Sequence, residues 1–216
     1  KFFFLKNIFF QSMPITIAIL GYSIAATVVF TYVGLFGEYA VAGYGSATRI
    51  EQVVLLPILG INTAIISIIA QNIGAKYYDR VEQSYFTSIK YGLFIMLIAG
   101  VVIFISADIV PKFFSSNPDV IMHGSMYLKI SAFILPAYPI FFLSNGFFMA
   151  LKKSEKAMVN NIARNVIVPV LSFYIAKYLN ADFKTFFYIW AIFQWLISLM
   201  LLFYVKYYIK NKLANI

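Results

Sequence analysis

The sequence predicts an all-α membrane protein, a single bundle of six transmembrane helices. Of its 216 residues, 62% are hydrophobic and 12% are charged, whereas a soluble domain is about 45–50% apolar and about 25% charged. The apolar residues gather in runs of about 20 or more, which is the length that crosses a bilayer as a helix. The connections between these runs are short and carry much of the charge.

The six predicted spans follow one another with recognisable start signals. Asp79 begins a short amphipathic lead-in, residues 80–86, to the third span. Asn117 is placed to cap the helix of the fourth span, with Pro118 at its first helical position. Asp182 is placed to cap the sixth span. In chain order, the predicted spans cover residues 10–36, 46–73, 87–110, 124–150, 157–178 and 184–206.

Prolines fall inside several of these spans. Each proline lacks an amide donor and frees a carbonyl one turn earlier, which a membrane helix tolerates where neighbours or water satisfy the backbone. Such interrupted helices are typical of transporters, so they favour a protein with bending helices. The prolines concerned are Pro14, Pro57, Pro136, Pro139 and Pro169.

The net charge of +9 is explained best by membrane topology. Six spans leave both termini on one side, and most lysines and arginines of the connections fall on that side. The positive-inside rule therefore predicts that both termini are cytoplasmic. Because no basic groove with interleaved aromatic residues appears outside the spans, we expect no nucleic-acid partner. The richness in Lys, Ile, Phe and Asn favours a microbial plasma membrane.

The sequence gives little support to catalysis. Cysteine is absent, and the one histidine, His123, lies in a predicted loop. The chain contains no His-x-x-x-His pair, no Gly-x-Ser-x-Gly segment and no phosphate-binding loop. Since a membrane enzyme would need at least one set of this kind, we expect no enzyme activity, no metal centre and no cofactor.

The second span is too polar to face lipid on all sides. A charge inside a membrane segment costs at least about 2.5–3.5 kcal/mol, and this span carries Arg49 and Glu51 near one end. On a helical wheel, Glu51 and Asn62 lie opposite a longer polar face. We therefore predict that the span lines an interior; the alternative is that its charged end lies at the outer headgroups. The longer face holds Arg49, Gly60, Thr63, Ser67 and Gln71, with Gln52 beside Thr63.

Glu51 is the acid that lies inside a span and away from an obvious loop. Burial and a neighbouring arginine act in opposite directions on the protonation of such a carboxyl. It is therefore a candidate for taking up a proton or holding Na⁺, and the alternative is a structural pair with Arg49 or with another helix. Asp108, at the outer end of the third span, is interpreted as a solvated interface residue.

Two later spans offer further polar candidates. Asn160, Asn161 and Arg164 share a face of the fifth span. Arg164 either snorkels to the cytoplasmic headgroups or closes a gate by pairing with a carbonyl or carboxylate. Tyr138 and Asn145 share a face of the fourth span, which is predicted to kink, and they either line a substrate path or pack in the core.

Three segments carry a family resemblance. Residues 44–64 read YGSATRIEQVVLLPILGINTA, residues 70–75 read AQNIGA and residues 78–80 read YDR. Together they resemble the first two helices of the C-terminal six-helix lobe of the multidrug and toxic compound extrusion (MATE) transporters. The proline-containing spans on either side fit the same lobe in order.

The resemblance implies one lobe of a twelve-helix transporter with a central cavity, alternating access, and antiport of organic cations against Na⁺ or H⁺. The partners would be small organic cations, membrane lipid and a missing N-terminal lobe, in agreement with a first residue, Lys1, that is not Met. Some relatives carry cation-site acids in helices that match the first and fourth spans, which have none here. Glu51 is then the local coupling candidate, or an accessory to acids in the missing lobe.

The polar residues singled out above take candidate roles within that lobe. The alternatives to an efflux transporter are a lipid-linked oligosaccharide flippase of the same superfamily, which would want more basic residues in its cavity, and a non-transporting membrane scaffold. The polar residues and prolines inside the spans argue against the scaffold. The cavity-lining candidates are Arg49, Gln52, Asn62, Tyr138 and Asn145, and the gate or lobe-contact candidates are Gln71, Asn72 and Arg164.

Overall fold

The computed structural model describes the backbone of residues 2–212 and the side chains of residues 20–211, together with those of Met13 and Thr16. Within that part the chain forms helices and no strand. Lys1, the side chain of Pro14 and the last residues of the polar tail, 213–216, lie outside the described residues. The α-helices are α1 (Phe2–Gly34), α2 (Glu38–Gly74), α3 (Tyr78–Ser106), α4 (Pro118–Ile134), α5 (Ala137–Ala150), α6 (Ser154–Ile162), α7 (Val168–Tyr178) and α8 (Phe183–Lys212).

Four helical stretches in the described part are long and apolar enough to cross a membrane. They are α2, α3, the continuous stretch Ser154–Tyr178 and α8, and the bent pair α4–α5 makes a fifth if it is one span. In α1, the apolar part with described side chains is Leu20–Gly34. The helical fold is therefore confirmed, while the division into six spans stays a prediction.

Two helices begin earlier than the spans they contain. α2 starts at Glu38 rather than near residue 46, because the chain turns at Gly37, whose φ of 96° favours glycine. The Glu38 carboxylate then lies in the first turn, where the helix dipole stabilises it. α3 starts at Tyr78, so the expected lead-in and the third span form one helix.

Both proposed cap residues act as predicted. The side chain of Asn117 accepts hydrogen bonds from the backbone amides of Asp119 and Val120, and Pro118 occupies the first helical position of α4. The carboxylate of Asp182 accepts from the amide of Thr185 at 2.9 Å. Each cap satisfies amides that have no partner inside the helix.

Three helices end with the chain reversing at a residue of positive φ. Lys76, Lys152 and Asn180 have φ values of 61°, 57° and 48° and follow α2, α5 and α7. After each, the next amide reaches back to a carbonyl in the last turn, as in the bond of 2.9 Å from the Lys153 amide to the Phe148 carbonyl. These Schellman-type turns satisfy helix-end carbonyls and keep the connections short.

α2 is the central helix of the bundle and packs against α3, α4 and α5. At its crossing with α4, an added Cβ on Gly43 would lie 2.5 Å from the Val120 carbonyl oxygen and 2.8 Å from the Gly124 amide nitrogen. The absence of a side chain at Gly43 thus lets two backbones approach closely. Gly60, on the exposed side of the same helix, has no such neighbour within 4 Å.

The fourth predicted span is kinked, as expected from its prolines. α4 and α5 meet at an angle of 53° across Leu135 and Pro136. In α2, by contrast, Pro57 lies within an uninterrupted helix. Pro169 follows a π-helical turn at Ala163–Ile167, which joins α6 to α7. The prolines therefore differ in effect, and the pronounced bend is the one between α4 and α5.

Candidate functional site

Glu51 lies inside the bundle with 6% of its surface exposed. Its carboxylate accepts a hydrogen bond from the phenol of Tyr127 at one oxygen and from the phenol of Tyr138 at the other. Hydrogen bonds to a charged group contribute about 1.5–3 kcal/mol each. Two of them offset part of the cost of burying a carboxylate.

The bend between α4 and α5 brings the two phenols to one carboxylate. Tyr127 lies in α4 before the break, and Tyr138 lies in the first turn of α5 after it. Both helices pack against α2, which carries Glu51. The carboxylate therefore bridges the two sides of the kink.

Arg164 lies beside Tyr138 and is 4% exposed. Its guanidinium carbon is 4.4 Å from the ring centroid of Tyr138 and 4.2 Å from that of Phe141, within the range of cation–π attraction. Its Nε donates to the side-chain carbonyl of Gln194 at 2.5 Å. Arg164 thus does not snorkel to the headgroups, because its partners hold it inside the lobe.

The π-helical turn positions this arginine. The turn spans Ala163–Ile167, and the Val168 amide bonds to the Ala163 carbonyl, five residues back. Pro169 follows this turn and has no backbone amide that could donate the usual α-helical hydrogen bond to the carbonyl four residues back. Single π turns of this kind occur frequently at functional sites.

We call this group of side chains the Glu51 cluster. It contains one carboxylate, Glu51, and one guanidinium, Arg164. Tyr138 contacts both, because its hydroxyl donates to Glu51 and its ring lies against the guanidinium. Protonation of the carboxylate would turn one of its oxygens into a donor, so a phenol would have to rotate. The cluster consists of Glu51, Tyr127, Tyr138, Arg164 and Gln194.

Two residues predicted to line the cavity, Asn62 and Asn145, pack away from the Glu51 cluster. Asn145 is buried, and its side-chain oxygen accepts from Asn160 at 3.1 Å. Asn62 is partly buried beside Gly146, where an added Cβ would collide with its side-chain oxygen. The buried Asn62 oxygen and the buried Asn145 amide nitrogen have no partner in the described structure. Tyr138 and Asn145, which were predicted to share a face, have different partners: Tyr138 bonds to Glu51 of α2, and Asn145 bonds to Asn160 of α6.

The remaining predicted residues of α2 point away from Glu51. Arg49, Gln52 and Gln71 are exposed on the outside of the lobe. Gln71 donates to the Ser67 hydroxyl at 3.3 Å, and Asn72 donates to the Ile68 carbonyl of its own helix at 2.8 Å. The two polar faces expected from the helical wheel are thus observed, with Glu51 turned inward.

Tyr127 and Gln194 are site residues that sequence reasoning missed. Tyrosine is abundant, with 16 in the chain, so no signal distinguished Tyr127. Gln194 is a buried polar residue in the apolar run of α8, and a search for polar residues inside spans would have found it.

The capacity to hold a metal ion is limited in the described part of the chain. No three His, Cys, Asp or Glu side chains converge there.

Asp108 and Lys129 form the single ion pair among the described residues, at 2.7 Å, with side chains 65% and 41% exposed. As expected, Asp108 is solvated, and hydrogen bonds from Lys129 and Ser125 lower the pKa of its carboxyl.

Comparison with known proteins places this chain in a family. The MatE family model matches residues 14–174. The chain is 27% identical over 150 residues to the probable multidrug resistance protein YpnP of Bacillus subtilis, covering 69% of this chain and 32% of that protein. It is 25% identical over 168 residues to the multidrug export protein MepA of Staphylococcus haemolyticus, covering 77% and 37%.

Solved structures agree on the fold. A MOP superfamily transporter from Pyrococcus furiosus, described as having a binding pocket of reversed polarity, superposes with a TM-score of 0.87 at 22% identity over 92% of this chain and 45% of that chain. The chain thus spans about a third of the curated relatives and under half of the solved transporter. It has the fold of one transporter lobe and belongs to the MatE family of multidrug and toxic compound extrusion transporters.

Proposed function

We propose that this chain is the C-terminal lobe of a multidrug efflux antiporter that uses alternating access and is driven by Na⁺ or H⁺. The observation that carries the proposal is Glu51, a buried carboxylate shared by two phenols at the junction of α2, α4 and α5. An ionisable side chain inside a membrane bundle is expensive and marks an ion or proton pathway by default. Family membership supplies the transport context.

The coupling step follows from what the carboxylate can bind. As an anion, Glu51 accepts from Tyr127 and Tyr138. A proton on Glu51 removes one acceptor site, and an incoming Na⁺ competes with the phenol protons for the same oxygens. Either event loosens a phenol on one side of the α4–α5 kink. The lobe thereby gains two arrangements whose balance depends on the bound ion.

The exposed polar face of α2 is an argument that a second lobe, rather than lipid, lies against it. Gln52, Thr63, Ser67 and Gln71 are exposed on this lobe, and hydrocarbon is a costly environment for such a column. We propose that this face borders the central cavity and the N-terminal lobe. The flippase alternative would want several basic residues in the cavity, whereas Arg164 is enclosed within the lobe and Arg49 is the one arginine on the exposed face of α2.

The substrate class in this proposal is organic cations. The Pyrococcus furiosus relative has a binding pocket of reversed polarity, so the assay should include both a cationic and an anionic dye. We further propose a microbial plasma membrane with both termini in the cytoplasm. Accessibility of a tag at each terminus in intact and opened cells tests that orientation.

The test is dye efflux by the protein as its gene encodes it, with Glu51→Gln. The amide keeps the size of the side chain and removes its charge and its ability to titrate. We expect efflux to fall at least tenfold and to lose its dependence on pH or Na⁺. The matched control is Glu38→Gln, at the exposed start of the same helix, which should behave as the wild type.

If Glu51→Gln exports dye at the wild-type rate, with unchanged pH and Na⁺ dependence, the proposed coupling role of Glu51 is wrong. A folded wild-type protein that exports neither dye would argue against multidrug efflux. Fluorescence-detected gel filtration of each variant shows whether the loss of activity is a loss of folding.

A further inference from the structure

At one end of the bundle, away from the Glu51 cluster, two lysines meet two tyrosines. Lys153 donates to the Tyr208 hydroxyl and Lys156 donates to the Tyr204 hydroxyl. The ammonium groups of Lys153 and Lys156 also lie 5.0 and 5.7 Å from the ring centroid of Tyr208. Lys156 is in addition 5.1 Å from the ring centroid of Tyr204 and 5.8 Å from that of Phe148. We call these five residues the Lys–Tyr cluster.

The local fold explains why the two charges converge. α5 ends at Ala150, the chain reverses at Lys152 with a φ of 57°, and α6 begins at Ser154. This tight turn holds Lys153 next to the end of α8. Tyr208 is 2% exposed, so its ring is a fixed wall under both lysines.

The two lysines of the cluster have no ion-pair partner within the described part of the chain, and the Glu155 carboxylate acts on Lys156 only at longer range. Neither Lys153 nor Lys156 forms an ion pair there, since the recorded pair is Lys129–Asp108. Glu155 lies between them in sequence, but its side chain is exposed and makes no ion pair with either. Two like charges held close together favour an external anion.

The tyrosines add hydrogen-bond capacity of the right kind. Each phenol oxygen accepts from a lysine. Tyr204 is 37% exposed, so its own proton remains available for an external acceptor, whereas the buried Tyr208 holds Lys153 in place. The cluster therefore presents ammonium and hydroxyl donors together. A phosphate group, with several acceptor oxygens and a negative charge, matches this set.

The surroundings point to a lipid rather than a free anion. The cluster lies at the ends of α5 and α8 and the start of α6, where candidate membrane spans end. On α8, Met200, Phe203 and Tyr207 are 69%, 67% and 56% exposed, which offers an apolar surface for acyl chains. Basic pockets between membrane helices bind anionic headgroups in this manner.

The geometry points to a binding site for the phosphate headgroup of an anionic phospholipid at Lys153, Lys156 and Tyr204, with the buried Tyr208 beneath them. The site does not depend on the proposed transport function, because none of its residues belongs to the Glu51 cluster. Its occupant would tie the α5–α6 turn, α6 and α8 together at the membrane surface and thereby stabilise the lobe against heat.

The test uses the protein as its gene encodes it, purified in a neutral detergent. Thermal unfolding is followed while phosphatidylglycerol, phosphatidylcholine or inorganic phosphate is added. We expect phosphatidylglycerol to raise the unfolding midpoint and the other two to have little effect. For Lys153→Gln with Lys156→Gln, half-maximal stabilisation should require about 30-fold more phosphatidylglycerol, since each lysine contributes about 1 kcal/mol at a membrane surface.

The matched control is Lys206→Gln with Lys210→Gln. These lysines are exposed on α8 near the same end and make none of the tyrosine contacts, so the same charge is removed outside the cluster. This control should keep the wild-type response. Equal responses of the two double variants, or equal effects of the two lipids, would overturn the proposal, and saturation by inorganic phosphate would assign the site to a free anion. If the cluster double variant does not fold, Lys156→Gln alone replaces it, with Lys206→Gln alone as its control. Half-maximal stabilisation of Lys156→Gln should then require about fivefold more phosphatidylglycerol.

Discussion

The close crossing of α2 and α4 makes a sharp prediction for Gly43→Ala. The new methyl group would lie 2.5 Å from the Val120 carbonyl oxygen and 2.8 Å from the Gly124 amide nitrogen. Ordinary contacts of this kind are about 3.5 Å or longer, so one helix must move by up to about 1 Å. Both obstacles are backbone atoms, which cannot rotate away as a side chain can.

The expected magnitude combines two opposing effects. Overpacking costs about 1–3 kcal/mol, and backbone obstacles place this site in the upper part of that range. Alanine gains up to about 1 kcal/mol over glycine in helix preference. The net loss is then about 1–2 kcal/mol, or about 2–8 °C in unfolding midpoint for a domain of this size.

Thermal unfolding of the purified protein in detergent measures this loss. Gly60→Ala is the matched control, because it lies in the same helix with nothing within 4 Å of the added methyl group, and its midpoint should not fall. The displacement should also move Tyr127, one turn beyond Gly124, away from Glu51. If Gly43→Ala is as stable as Gly60→Ala, the reasoning about this crossing is refuted.

Two further predictions concern charged groups. Gln194→Leu leaves the buried Arg164 Nε without its acceptor and should cost about 1.5–3 kcal/mol; an unchanged unfolding midpoint would show that the bond contributes nothing. Hydrogen bonds from Lys129 and Ser125 lower the pKa of the Asp108 carboxyl. The ionised carboxylate therefore stabilises the fold at pH values above the unfolded pKa, about 3.9. This stabilisation is lost as the pH falls through the lowered pKa of the folded state. Because the pair is exposed, Asp108→Asn should cost under about 1 kcal/mol at pH 7. This cost should shrink as the pH falls below the unfolded pKa, which urea unfolding at a series of pH values can check.

Much of the fold was predictable because apolar runs, caps and prolines act locally. Asn117 and Asp182 cap helices as expected, since a cap depends on the next three residues only. The early start of α2 was missed because the apolar run begins after several small and polar helical residues. The turn at Gly37 sets the boundary instead.

The site was predictable only in part. Glu51 was singled out because a carboxylate in a span is costly, and the helical wheel turned it away from Arg49. Its partners depend on the angle between α4 and α5. The prolines predict a kink there but not its angle. Tyr127 and Tyr138 therefore became neighbours of Glu51 only once the 53° bend was known.

The length of α2 has a consequence for depth in the bilayer. Its 37 residues extend about 55 Å at 1.5 Å per residue, whereas the hydrocarbon layer is about 30 Å thick. At a tilt of about 20°, roughly 20 Å of the helix must emerge, shared between its two ends. Arg49 then lies close to the hydrocarbon boundary, with Glu51 a little deeper. Since the chain has no cysteine, single cysteines introduced along α2 would mark that boundary by where a water-soluble thiol reagent stops reacting.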